Sequence, residues 1–443
     1  MTDPASKGGT RYVMPVEQIP ADDPLPRRRL LATPLLDASI KDRPEDFLVD
    51  ELPLYEPSGS GEHLYLGVQK QGMPHSEMIE VLARHFRVPP SAIGFAGMKD
   101  RVAITRQAVS IHLPGKSAPA VRLEHPRMTL LWEARHQNKL RRGHCAGNRF
   151  SIRVRRVDPT KAPLVWRALN ELVRDGIPDY YGRQRFGYRR NTHRLGRHLI
   201  NRDDEALLRE LLGTASPYPE HQHEQRRLFD EARFADSLPQ WGRHDRAERV
   251  ALMALARGKS PRQAVSAIDG SMRLFWISAY QSAVFNRVLD LRLESGTFAR
   301  VVEGDVAYKH ATRGQFRVSA DMLADDELAR RASQFEISAS GPMFGHGMIE
   351  AGPPIAEIEQ AATEELGVPA ARLLDPSTAI EGTRRPFRVA VRNPELEGGF
   401  DEHGPYIRLA FDLPRGAYAT VLLQEIFAEG GGGDEDDERA ATT

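Results

Sequence analysis

The chain has 443 residues, of which 40% are hydrophobic and 28% charged. That content reads as a soluble globular protein large enough for two domains. No apolar run approaches the ~18 residues a membrane helix needs, and the opening stretch MTDPASKGGTRYVMP lacks a signal-peptide core. A cytoplasmic protein with no membrane association is the expectation. The single cysteine, Cys145, cannot close an internal disulfide, in keeping with a reducing compartment. The net charge of zero conceals an uneven distribution. Glu429, Asp434, Glu435, Asp436, Asp437 and Glu438 face only Arg439 at the far end, and without that end 60 bases stand against 55 acids.

In chain order, residues 1–30 are rich in proline and charge and are expected to be flexible. Ser76 to Phe86 has helical spacing with Ser76 as a candidate cap, and Pro89 and Pro90 stop it. Ala108 to Leu113 alternates as a strand. Phe150, Ile152 and Val154 alternate with Ser151, Arg153 and Arg155, which predicts a strand with one buried and one basic face. Pro163 to Arg174 reads as a helix leaving through Gly176. Residues 214–250 are rich in Pro, His, Gln and charge and read as an extended loop or insertion. Ser278 is a candidate cap for a helix running to about Leu293. A strand at 407–413 turns through Pro414 and Gly416 into a helix, Ala417 to Phe427. Residues 428–443 carry four consecutive glycines and acids and read as a disordered acidic tail.

Arginines cluster at 141–156 and again at 183–197. Such clusters are either solvated charged faces or the footprint of a phosphate-binding surface. Arg153, Arg155, Arg183 and Arg185 are the candidates for an RNA backbone. Phosphate-loop motifs for ATP or NAD are missing. His221 and His223 lack the Cys/His companions of a metal site, so no metal is expected.

The most informative string is GFAGMKDRVAITRQ, Gly94 to Gln107. It sets Asp100 on a turn after Gly97, between Lys99 and Arg101. An acid between two cations is on local chemistry a surface ion pair. A second reading is a carboxylate presented to a polyanionic ligand by a fixed turn. The string resembles the signature of the tRNA pseudouridine synthase D (TruD) family. Further segments similar to that family follow in its order: RPEDFLVDEL at 43–52, GEHLYLGVQKQG at 61–72, KLRRGHCAGNRFSIRV at 139–154 and GIPDYYGRQRFG at 176–187. SAYQSAVFNR at 278–287, EGDVAY at 303–308 and LPRGAYATVLLQEI at 413–426 complete the set.

The resemblance implies an α+β fold. A catalytic domain on a mixed, mainly antiparallel sheet would occupy 31–179 and 386–427, interrupted by an inserted α/β domain at 180–385, with RNA in the cleft between them. It implies an isomerase that converts uridine, at position 13 of tRNA in bacteria, to pseudouridine. That reaction moves ribose C1′ from N1 to C5 of one uracil and needs neither redox chemistry nor a cofactor. The resemblance assigns the catalytic carboxylate to Asp100, as nucleophile at C1′ or as base at C2′. It assigns contacts with the target nucleotide to Phe47, Asn148, Phe150 and Tyr418, the last replacing the family's usual Phe. Lys99 is a candidate partner of Asp100 or of a phosphate. Taken singly, Phe47 and Phe150 sit at core positions of strands, and Asn148 at a turn. The partner implied is tRNA, with no obligate protein partner, and a monomer is compatible with the sequence. Two other readings remain open: an RNA-binding module without turnover, and an unrelated hydrolase using Asp100 with a metal.

Overall fold

The computed structural model describes residues 20–115, 123–214, 222–324 and 326–430. The chain divides into two compact units. Among the described residues, one comprises 29–179 and 388–430, and the other comprises 20–28 and 180–387.

The first unit is built on a ten-stranded sheet. Its strands are β1 (Leu36–Ser39), β2 (Phe47–Pro53), β3 (His63–Gln71), β4 (Ile93–Phe95), β5 (Ile104–His112), β6 (Met128–His136), β7 (Cys145–Arg155), β8 (Arg392–Asp401), β9 (Gly404–Pro414) and β10 (Phe427–Gly430). The main path runs β8-β9-β7-β2-β5-β3-β6, with β4 on β5 and β1 joining β10 to β7. Only β2–β5 and β1–β10 are parallel. The sheet is therefore mixed and mainly antiparallel, in an α+β setting.

Strand periodicity sends alternate side chains to opposite faces, and cross-strand register ties the faces together. Phe47 pairs with Ile152, Val49 with Phe150 and Thr105, Glu51 with Asn148, and Thr105 with Lys70. All of these share one face. Over one half of it lie helices α2 (Ala162–Asp175) and α3 (Ala419–Ile426), whose Val165, Leu169, Leu172, Leu422 and Leu423 join Phe150, Ile152, Leu409 and Phe411 in the largest core cluster. Over the other half, α1 (His75–Phe86) buries Met78, Leu82 and Phe86 against Leu66, Val68, Val109 and Ile111. Gly147 is required where β9 crosses β7, because a Cβ there would sit 2.2 Å from the Leu413 carbonyl oxygen.

The chain leaves this unit after Ile177–Pro178 and returns through Arg388–Val389. These two short strands pair antiparallel, so the ends of the intervening segment are held side by side. That segment contains the helix Gly270–Glu294 and an antiparallel four-stranded sheet ordered Gln315–Arg317, Val306–Lys309, Ile337–Met343, Thr383–Pro386.

Several expectations need correction. Ser76 caps nothing: α1 starts at His75 behind Pro74. Ser278 lies inside the helix that starts at Gly270, where Asp269 accepts from the Ser271 amide; Gly270 hid this start because glycine disfavours helix interiors. The segment 214–250 holds helices His223–Asp230, Phe234–Ser237 and Arg246–Ala256, with 215–221 outside the described residues. Polar composition concealed them because they bury only narrow stripes, such as Leu228, Ala247, Ala251 and Leu252. The expected flexible start does not reach residue 30. Asp22 bonds Arg194 and Arg197, Asp23 pairs with Arg190, and Leu31 is buried; residues 1–19 lie outside the described residues. The expected tail loses its first residues to β10, which pairs with β1 through Gly430. The rest, 431–443, lies outside the described residues.

Candidate active site

The turn between β4 and β5 carries Lys99 and Asp100. Its backbone is fixed from below by Lys70, a fully buried lysine on β3 whose Nζ donates to the carbonyl oxygens of Met73 (2.8 Å), Lys99 (3.3 Å) and Asp100 (2.6 Å). At the far end of the turn the Gly72 amide donates to the Ala103 carbonyl. A cation spanning three carbonyls replaces the backbone ladder that the turn lacks.

Lys99 and Asp100 then diverge. The Asp100 carboxylate is 42% exposed, and its Oδ2 accepts from Lys41 Nζ at 3.1 Å. Oδ1 has no hydrogen-bond partner among the described residues. Lys41 follows β1 in a left-handed conformation, φ 62°. Its Nζ also stands 4.7 Å from the centre of the Phe47 ring. The Lys99 side chain turns inward instead, 7% exposed, to Glu51 Oε2 (3.0 Å) and Asn148 Oδ1 (2.5 Å). Glu51 is itself buried, with Oε1 accepting from the Ala108 amide at 3.3 Å.

The sheet therefore brings Phe47, Lys99, Asp100, Asn148 and Phe150 together. Phe47 and Phe150 are nearly inaccessible and meet edge to face at 6.3 Å. Tyr418 is 48% exposed at the start of α3. It comes after the turn at Pro414, which pairs with Gly147 next to Asn148. Met98, beside the Lys99–Asp100 pair, is 65% exposed.

The arginine candidates fare differently. Arg153 and Arg155 have the opposite strand parity to Asn148 and Phe150, so they belong to the other face of the sheet. Arg155 is corrected outright as an exposed phosphate contact. It is buried and forks onto Asp46, with a second nitrogen on Asp401 at 2.6 Å. Its guanidinium holds the Asp401 carboxyl down at about 2. Arg153 remains on the surface, 3.7 Å from Asp401 and over the Tyr406 ring. In the other unit, Arg185 bonds the Ser282 and Ser278 hydroxyls and lies over Tyr181 and Phe275. Arg183 starts a short helical turn, Arg183–Arg185.

Lys41, Glu51 and Lys70 were not singled out from sequence, and Gln107 only as the end of the signature string. Three left a signal. Glu51 continues the core-facing parity of Phe47 and Val49, Lys70 that of Leu66 and Val68, and Gln107 precedes Val109 on the same face. A polar residue at a core parity is costly unless it has a role. Gln107 and Thr105 are buried with side-chain polar atoms that have no partner among the described residues. His75 is similar: burial, with Lys70, Arg142 and Lys99 nearby, pushes its ring down to about 4. Lys41 left no signal, since it reaches the site from a turn.

Comparison with known proteins adds independent weight. The sequence model described as tRNA pseudouridine synthase D (TruD) matches residues 28–426. The tRNA pseudouridine synthase D of Syntrophotalea carbinolica is 36% identical over 396 residues, covering 89% of this chain and 96% of that protein. That of Geobacter sp. (strain M21) is 39% identical, covering 87% and 95%. A crystal structure from Methanosarcina mazei, described as a tRNA pseudouridine synthase D (TruD), superposes with a TM-score of 0.79 at 25% identity, over 92% of this chain and 98% of that one.

Proposed function

The chain belongs to the tRNA pseudouridine synthase D (TruD) family and is an isomerase of that class, and from that membership we propose that it converts uridine-13 of tRNA to pseudouridine with Asp100 as its catalytic carboxylate. The observation that carries this reading is the geometry of Asp100. One carboxylate oxygen is tied to Lys41, the other is open, and Lys70 clamps the backbone beneath. Such a group is aimed before substrate arrives, which is where orientation contributes most to rate.

The target uridine must leave its stack to reach this turn, at a cost of roughly a few kcal/mol. Exposed Met98 and Tyr418 offer apolar and aromatic surface to the extruded nucleotide. Oδ1 of Asp100 either attacks C1′ or removes the C2′ proton. On the first route the N1–C1′ bond breaks as the C1′–Oδ1 bond forms, and that bond breaks in turn when C5 of the rotated base bonds C1′. On the second the N1–C1′ bond breaks as Asp100 takes the C2′ proton, which returns to C2′ as C5 bonds C1′. On both, the C5 proton is then lost and N1 gains one. Atoms and electrons balance within one nucleotide. Phe47 and Phe150 act here as the floor of the pocket, since their rings are packed into the sheet. The cytoplasm is the compartment consistent with tRNA as substrate.

The test is a tRNA transcript with uridine at position 13, incubated with the wild-type protein and with Asp100→Asn. Pseudouridine is mapped by chemical adduct sequencing. Wild type yields pseudouridine at that one site, and Asp100→Asn yields none while binding the transcript within a few-fold. Product at another position overturns the uridine-13 assignment, and turnover by Asp100→Asn overturns the role of Asp100.

A further inference from the structure

We propose that Glu51, Lys99 and Asn148 form a relay that locks the Asn148 amide as a donor to O4 of the target base, so that uracil is accepted and cytosine refused. The proposal rests on the pseudouridine synthase reading and names how that site recognises its base.

Lys99 forms an ion pair with Glu51 and a hydrogen bond with Asn148, and chemistry fixes the direction of that hydrogen bond. A lysine ammonium only donates. The Asn148 atom 2.5 Å from Lys99 Nζ is therefore the carbonyl oxygen Oδ1, which removes the ambiguity of amide orientation. Nδ2 then faces the other way, and it has no hydrogen-bond partner among the described residues. Asn148 is partly exposed, beside the turn that presents Asp100. The site thus offers a base an NH2 group that can donate and cannot accept.

What keeps it so is Glu51. Lys99 and Glu51 are 7% and 4% exposed. A buried lysine without a counter-charge would turn outward to water. Glu51 is held by the β5 backbone through Ala108, and with its Oε2 3.0 Å from Lys99 Nζ it is the buried counter-charge that keeps the Lys99 side chain directed at Asn148. Packing alone does not call for this pair, since Phe47 and Val49 fill the preceding positions of that face with apolar groups and a buried ion pair is a poor source of stability. An amide free to flip would accept from the cytosine amine as readily as it donates to a uracil oxygen. O4 is the pyrimidine carbonyl at which uracil and cytosine differ. A locked donor there discriminates, because an amine facing an amine leaves both unpaired.

The relay makes Glu51 a positioning residue acting through Lys99, which a double-mutant cycle detects. Single-turnover rates are measured on the uridine transcript for wild type, Glu51→Gln, Asn148→Ala and the double variant, with melting temperatures recorded alongside. Glu51→Gln alone is expected to slow the reaction about tenfold or more, and to have no further effect, within about twofold, once Asn148 is alanine. Fully additive losses overturn the relay. Asn148→Asp is the second arm. It keeps the Glu51–Lys99 pair, gives Lys99 a stronger acceptor and replaces the donor with an acceptor, so the fold is not at risk. The readout is the inhibition constant of a transcript with cytidine at the target position relative to the uridine transcript. Wild type favours uridine, whereas Asn148→Asp loses or reverses that preference and slows uridine turnover by about 10²-fold. An unchanged preference overturns the O4 contact. Absence of pseudouridine with wild type overturns the functional reading and the relay together, whereas wild-type turnover with additive losses removes the relay alone.

Discussion

Lys70 Nζ donates to the Asp100 carbonyl oxygen at 2.6 Å from a side chain with no solvent exposure. A buried ammonium thus sits under the exposed carboxylate and holds its backbone, not its side chain. Lys70→Met removes the charge at similar length and leaves three carbonyls without their donor. Lost hydrogen bonds to a charged group cost roughly 1.5–3 kcal/mol, so a lower urea midpoint is expected. The released turn should lose about 10²-fold in kcat. A variant with reduced stability and full kcat would remove Lys70 from the positioning of Asp100.

Lys41 orients the carboxylate itself. Lys41→Met keeps the aliphatic stem near Phe47 but frees Oδ2 to rotate. A fall in kcat of about 10²-fold is expected, with little change in KM for tRNA. A rise in KM at unchanged kcat would make Lys41 a binding residue instead.

Arg153 and Arg155 are two residues apart, and their substitution should differ sharply. Arg155→Gln leaves Asp46, 1% exposed, as a buried carboxylate without its fork. Breaking a buried pair costs about 3–5 kcal/mol. Arg153→Gln removes a surface contact and should stay within about 0.5 kcal/mol. Urea denaturation of both variants checks this. Equal effects would contradict the parity argument.

His193 adds a pH dependence in the other unit. It is buried, with Nε2 on the Asp22 carbonyl at 2.8 Å and Asp22, Arg194 and Arg197 around it. Burial pushes its ring down to about 4, against about 6.5 when unfolded. Between those values the unfolded chain binds the extra proton. The stability due to His193 is therefore complete above about pH 6.5 and is lost as pH falls toward 4, with a limiting slope of about 1.4 kcal/mol per pH unit. His193→Gln should flatten the urea midpoint over that window. An unchanged slope would assign it to other groups.

Truncation should distinguish β10 from the residues after Gly430. Ending the chain at Gly430 keeps the β1–β10 ladder and should spare both fold and turnover. Ending it at Ile426 also removes Phe427, 1% exposed in the largest core cluster. Loss of such a side chain costs about 3–5 kcal/mol, readable as a drop in melting temperature. Equal melting temperatures for the two truncations would mean that β10 contributes nothing.

Strands β5, β7 and β9 and helices α1 and α2 were legible in the sequence because each combines strong periodicity with a clear stop, such as Pro89 or Gly176. Asp100 and Asn148 were legible through their strings. The helices within 214–250 and the true start at Gly270 were not, because their signals are polar composition and a glycine that tertiary packing overrides. By itself the sequence determined which side chains alternate, where the chain turns and which carboxylate stands on the signature turn. Only the tertiary structure decided that Arg155 is a buried strut, that Lys99 turns inward and that Lys41 and Lys70 hold Asp100. Those facts depend on register between strands far apart in the chain, and a side chain's partner across a sheet is set by that register, which local sequence does not encode.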